Sequence, residues 1–141
     1  MSDTPPTPIR VLVVDDSAEI RDVIRLALDR ATDFELVAEA SDGETGVAAA
    51  RAHQPGLVLL DIAMPEMDGL QALPLIRSVV PAASVVVFSG FSEQDAADIS
   101  VGNGADGFIR KGRNLTDVLD QLREIVANRA RAPRPERSRG Q

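Results

Sequence analysis

The 141-residue chain has no cysteine, no tryptophan, no tyrosine, one histidine and one lysine. Without cysteine, a disulfide scaffold, a thiolate metal site and a cysteine nucleophile are all excluded. No apolar run approaches the roughly 20 residues that span a bilayer. Residues 1–8, Met1-Ser2-Asp3-Thr4-Pro5-Pro6-Thr7-Pro8, lack the basic and apolar regions of a secretory signal, so a cytoplasmic location and no membrane partner are expected. The lysine, Lys111, stands against fourteen arginines. A chain that otherwise uses arginine for positive charge, yet keeps one lysine, points to a task for a compact ammonium.

Negative charge dominates, but unevenly. The net charge is −7, while residues 127–141 hold five arginines and one glutamate and carry +4, leaving −11 on the rest. An acidic body argues against a nucleic-acid-binding surface on the folded part. The Arg- and Pro-rich end has almost no apolar residues and is expected to be disordered over 128–141. A soluble terminus or linker remnant, or weak attraction to an acidic partner, would each suit it. Residues 1–8 are expected to be a disordered leader on the same reasoning, and 9–127 to be one domain. A chain of this length buries roughly 68–70% of its unfolded surface without a staple.

Hydrophobic periodicity alternates between two values. Ile9–Val14 is apolar apart from Arg10, as expected of a strand buried on both faces. Ile20, Val23, Ile24, Ala27, Leu28 and Ala31 then follow a helical stripe. Phe34–Ala40, Leu57–Leu60, 84–88 and 106–109 read as further strands. Helices are predicted over 43–52, 70–79 (where Pro74 should kink the helix or start a new turn), 92–101 and from Leu115 to Val126. Gly102-Asn103-Gly104 would end the fourth helix, and Asn114 would cap the last. Five strands alternating with five helices imply right-handed crossovers and a parallel sheet covered on both faces. The natural solution is a flavodoxin-like doubly wound α/β fold with strand order 2-1-3-4-5.

In such a sheet all strand C-termini lie along one edge, where ligands bind. Asp15 and Asp16 follow the first strand and Asp61 the third; Ser89 follows the fourth, and Lys111 the fifth. The first and third strands are neighbours at the switch point, so the three aspartates should meet. Carboxylates held together repel unless a cation or protons neutralise them. With no histidine or cysteine nearby the donors are all oxygen, which favours Mg²⁺ or Mn²⁺ over zinc. Three carboxylates, a divalent cation and Lys111 sum to zero charge. Taken singly, Asp16 or Ser17 would be a helix cap, Asp61 a turn residue and Lys111 a solvated side chain; their occurrence at successive strand ends favours one pocket. His53 lies near the end of a polar helix, before Gln54-Pro55, and reads as a surface residue.

These residues resemble the receiver domain of bacterial two-component response regulators, in the manner of chemotaxis regulators, over about 9–127. The strongest part is Asp61-Ile62-Ala63-Met64-Pro65-Glu66-Met67-Asp68-Gly69, similar to the loop that follows the family's phosphoacceptor. Asp15-Asp16-Ser17 is similar to its acidic pair, Ser89-Gly90 to its switch hydroxyl and small neighbour, and Arg110-Lys111 to its lysine. The resemblance implies that Asp61 accepts a phosphoryl group from the phosphohistidine of a sensor histidine kinase or phosphotransfer protein. It also implies Mg²⁺ on Asp16, Asp61 and the Ala63 backbone carbonyl, with Asp15 binding through water. Lys111 would pair with Asp61 and then with the phosphoryl oxygens. Ser89 would swing towards the phosphoryl group and Phe108 would turn inward. The face made by the 92–101 helix, the fifth strand and the last helix would then bind a downstream protein.

Two departures from the family pattern stand out. Gly112 follows Lys111 where many members have a cis-proline, and Phe108 replaces a common tyrosine. The chain reads as a stand-alone signalling module, with no output domain and no substrate turnover. Alternatives are a receiver fragment of a DNA-binding regulator and a phosphorylation-independent adaptor. A haloacid-dehalogenase-type phosphatase would need a second acid two positions after Asp15, where Ser17 stands. An FMN binder would meet the phosphate with two carboxylates instead of amides. Ala63 and Phe91 flank the pocket with apolar groups and should restrict attacking water. Phe91→Asn is therefore expected to shorten the lifetime of the phosphorylated form, and an unaltered decay rate would refute the idea.

Overall fold

In the computed structural model, residues 7–62, 69–89 and 104–131 are described. Five strands alternate with helices: β1 (Ile9–Val14), α1 (Ala18–Arg30), β2 (Phe34–Ala40), α2 (Gly43–His53), β3 (Leu57–Leu60), α3 (Gly69–Val79), β4 (Ser84–Ser89), β5 (Gly107–Arg110) and α4 (Leu115–Arg131). The sheet order is β2-β1-β3-β4-β5, and every pairing is parallel. This is the doubly wound architecture that the alternating periodicity predicts. Four helices lie among the described residues; the helix expected over 92–101 falls outside them.

Strand alternation divides the core in two. Leu12, Val14, Val58, Leu60, Val85 and Val87 point to one face, where Ala50 of α2 and Ala72, Leu73 and Ile76 of α3 cover them. Val11, Val13, Leu57, Leu59, Val86, Phe88 and Ile109 point to the other, against Ile24 and Leu28 of α1 and Val118 and Leu122 of α4. Each fully buried aliphatic side chain contributes about 1.5–3 kcal/mol, which explains why these four-to-six-residue strands hold without long ladders. α3 runs through Pro74. Ala72, Leu73 and Ile76 are completely buried, and that packing outweighs the lost backbone hydrogen bond. Asn114 caps α4 by accepting from Thr116 N–H at 2.8 Å.

Several boundaries move by a residue or two, and two changes in the last third of the chain have identifiable partners. The last strand begins at Gly107, not 106. Asp106 is a junction instead: its Oδ2 accepts from Arg77 and from Val85 N–H at 2.8 Å, and its Oδ1 from Arg129 Nη1 at 2.7 Å. The same Arg129 also donates to the Pro81 carbonyl at 2.6 Å. That anchor carries α4 on to Arg131, so 128–131 are helical where a disordered tail was expected. The remainder of that tail lies outside the described residues.

Gly46 of α2 lies directly against β1: a Cβ placed there would be 2.9 Å from Val14 Cγ1. Because Val14 is β-branched and fully buried, it has little room to yield. Gly46→Leu is expected to lower stability by about 1–3 kcal/mol or more, measured by urea unfolding.

A surface pair supplies a pH test. Arg123 grips Asp33 with Nε–Oδ2 at 2.7 Å and Nη2–Oδ1 at 3.1 Å, and the hydrogen bond from Arg123 holds the Asp33 carboxyl below its ordinary range despite some burial. A lowered folded pKa gives stability that is present above the ordinary value and lost as pH falls through the folded one. Both side chains are 41% exposed, so Arg123→Gln should cost less than about 1 kcal/mol at neutral pH. The difference between parent and variant should narrow below about pH 3.9 and close once Asp33 protonates in the folded protein.

Candidate functional site

The parallel ladder continues one residue past three of the strands, and those residues form the site. Asp15 N–H donates to the Ala40 carbonyl at 3.0 Å, Asp61 N–H to Val14 at 2.9 Å, and Lys111 N–H to Ser89 at 2.8 Å. Backbone pairing, not side-chain attraction, therefore brings residues 15, 61 and 111 to the same edge. Asp15 and Asp61 are buried, at 2% and 3% exposure, while Asp16 is exposed. Carboxylate oxygens from all three lie within 4.8 Å of one another.

At the junction with α1 the chain turns on its own side chains. Asp15 Oδ1 accepts from Ser17 N–H at 2.9 Å, and Ser17 Oγ accepts from Ile20 N–H at 3.2 Å. Ser17 is thus the N-cap. Sequence alone left the cap open between Asp16 and Ser17, and the structure leaves the Asp16 carboxylate outside this capping bond.

Lys111 Nζ lies 2.9 Å from Asp15 Oδ2 and 3.2 Å from Asp61 Oδ2, and 6.0 Å from the centre of the Phe88 ring. The expected pairing with Asp61 is therefore shared with Asp15. Burial pushes the ammonium down, but the hydrogen bond to Asp15 and the charges of Asp61 and Asp15 outweigh it, so the Lys111 pKa is raised. The lysine stays charged beside two buried carboxylates. Neither the bridge to Asp15 nor the Phe88 contact was legible in the sequence. The signal for the latter is Phe88 standing next to Ser89 at a strand end.

Ser89 is fully buried as the last residue of β4 and pairs in register with Arg110. Phe108 is half-buried, opposite Val87, and packs on the core face shared with α2 and α3. Gly112 has φ 92°, a conformation closed to proline, so the loop after Lys111 differs in backbone from one built on proline. His53 is exposed at the end of α2, and its carbonyl accepts from Arg10 at 2.6 Å; it is no part of the cluster. Ala63 and Phe91 lie outside the described residues, as does most of the loop after Asp61.

The donor set fits a hard divalent cation. Three carboxylates converge, with one ammonium against them, and all donors are oxygen. Among the described residues no helix is long and apolar enough to cross a membrane.

The model of the response regulator receiver domain matches residues 11–123. The chain is 33% identical over 120 residues to the nitrate/nitrite response regulator protein NarL of Escherichia coli K12, covering 85% of this chain and 56% of that protein. It thus spans about half the length of that relative. It is 36% identical over 117 residues to the chemotaxis protein CheY of Bacillus subtilis, covering 83% of this chain and 97% of the relative. The signal receiver domain of NarL from Mycobacterium tuberculosis superposes with a TM-score of 0.80 at 30% identity, covering 86% of this chain and 98% of that one.

Removing the ammonium should expose the repulsion that it screens. Lys111→Met is expected to destabilise the metal-free protein by about 3 kcal/mol, the low end for breaking a buried pair, because the lysine side chain is 21% exposed. Asp15→Asn added to Lys111→Met should recover part of that loss, as should Mg²⁺; both are checked by chemical unfolding with and without the metal.

Proposed function

This chain belongs to the response regulator receiver domain family, and from that premise we propose that it is a phosphorylation-dependent signalling module of the cytoplasm. Asp61 accepts a phosphoryl group from the phosphohistidine of a sensor histidine kinase or phosphotransfer protein. The observation that carries this reading is the meeting of Asp15, Asp16 and Asp61 carboxylates with the Lys111 ammonium on one sheet edge.

Asp16, Asp61 and the Ala63 carbonyl would hold Mg²⁺ or Mn²⁺, with Asp15 contributing through water. When bound, the cation neutralises the charge on the transferring group's oxygens, which phosphoryl transfer requires more than covalent help. The Asp61 carboxylate attacks phosphorus; a P–O bond forms as the P–N bond to histidine breaks, leaving an acyl phosphate on Asp61. Lys111, already at 3.2 Å from Asp61 Oδ2, moves its hydrogen bond to a phosphoryl oxygen. Asp15 keeps that ammonium in place through the exchange.

Ser89 and Phe108 transmit the change to a downstream protein at a face that includes β5 and α4. Shifting a population from 1:99 to 99:1 takes about 5.5 kcal/mol of differential binding, whereas a charge-assisted hydrogen bond contributes roughly 1.5–3 kcal/mol. Ser89 alone is insufficient, so either Phe108 repacking and the metal contacts add to it or the switch is partial. We read it as partial. The domain turns over no substrate of its own. The CheY relative is matched over nearly its whole length and the NarL relative over about half, and the proposed role of Asp61 does not depend on an output domain.

Incubation with a small phosphodonor and Mg²⁺ is expected to add the mass of one phosphoryl group to the parent and none to Asp61→Asn. A gain in the Asp61→Asn protein, or none in the parent, contradicts the assignment.

A further inference from the structure

Asp15 is held by four bonds. Its N–H donates to the Ala40 carbonyl, its Oδ1 accepts from Ser17 N–H, and its Oδ2 meets Lys111 Nζ. The fourth engages its backbone carbonyl, which accepts from Arg21 Nη1 on α1. Arg21 Nε in turn donates to Glu39 Oε1 at 3.2 Å, and Arg25 Nε donates to the other oxygen of Glu39 at 3.0 Å. Glu39 precedes Ala40 on β2, so β2 holds Asp15 twice: through Ala40 by the ladder, and through Glu39 by way of Arg21.

The carbonyl matters because the peptide unit is planar. The oxygen of residue 15 shares its plane with the nitrogen of residue 16. Fixing that oxygen fixes the plane from which Asp16 departs. We propose that Arg21 is a positioning residue for the acidic pair, setting the direction of Asp16 towards the cation site, and that Glu39 on β2 holds the guanidinium in the required orientation. This rests on the cation-assisted function proposed above and adds a part to it. Arginine suits the task because Nε and Nη1 lie in one rigid fork and can serve two acceptors at once. An ammonium keeps the charge but has no such fork, so Arg21→Lys separates geometry from electrostatics.

The test is Mn²⁺ affinity of the full chain, read from the electron paramagnetic resonance of the free ion, together with amide hydrogen exchange. Arg21→Lys should weaken Mn²⁺ binding roughly 10-fold, as is typical when a partner that orients a metal ligand is lost. It should also speed exchange at the Ser17 amide while leaving the β1 amides unaltered. Adding Glu39→Gln should weaken binding no further, because both act through one link. Arg123→Lys, which disturbs the Asp33 pair elsewhere on the surface, should bind Mn²⁺ as the parent does. The relay is overturned if Arg21→Lys binds within about twofold of the parent, the scatter of independent effects, or if Arg123→Lys weakens binding equally. A parent that binds no Mn²⁺ overturns the cation site and the relay together; a parent that binds while Arg21→Lys is unaffected overturns the relay alone.

Discussion

The pairing of β1 with β3 is the constraint from which the rest of the site follows. Val14 stands opposite Leu60 in register, and one further ladder bond, from Asp61 N–H to the Val14 carbonyl, places the next residue of each strand side by side. Two aspartates 46 positions apart thereby become neighbours at a buried edge. No side-chain attraction would bring them together, since the carboxylates repel. Hydrophobic burial on both sheet faces holds the arrangement: Leu12, Val14, Val58 and Leu60 on one side, Val11, Val13, Leu57 and Leu59 on the other, all nearly inaccessible to water. The acidic site is thus an imposition of the core on groups that would otherwise separate.

That imposition explains the lysine. A compact ammonium can sit between two carboxylates at 2.9 and 3.2 Å and exchange one for another anion by a small movement. A planar guanidinium would commit to a bidentate geometry. Arginines are used elsewhere in the fold, where fixed multi-point contacts are wanted: Arg77 and Arg129 on Asp106 and the adjoining carbonyls, Arg123 on Asp33, Arg21 and Arg25 on Glu39. The division of labour between the lone lysine and the arginines follows from the difference between a point charge and a fork.

Much of this was legible in sequence, for identifiable reasons. The first three strands are largely apolar stretches bounded by polar or turn residues, interrupted only by Arg10, Glu35 and Glu39, so their limits at Ile9–Val14, Phe34–Ala40 and Leu57–Leu60 coincide with the structure. Alternation of the two periods dictated the parallel order, and the order dictated the aspartate cluster. What was hidden depends on partners far along the chain. The extension of α4 to Arg131 rests on Arg129 reaching Asp106 and Pro81, which an Arg- and Pro-rich composition does not reveal. Pro74 leaves α3 unbroken from Gly69 to Val79, with Leu73 and Ile76 beside it fully buried. Arg21 and Glu39 look like ordinary solvated charges until their shared contact beside Asp15 is seen, and the choice of Lys111 between two acids is a matter of side-chain packing.

The identity of the phosphoryl-bearing atom is the point on which everything else turns, and borohydride reduction addresses it directly. Hydride reduces an acyl phosphate to the alcohol, converting a phosphorylated aspartate into homoserine that peptide mass mapping can locate. After treatment with a phosphodonor and Mg²⁺, homoserine at position 61 is the result expected. Homoserine at position 15 or 16 instead, or at no aspartate, would contradict the assignment.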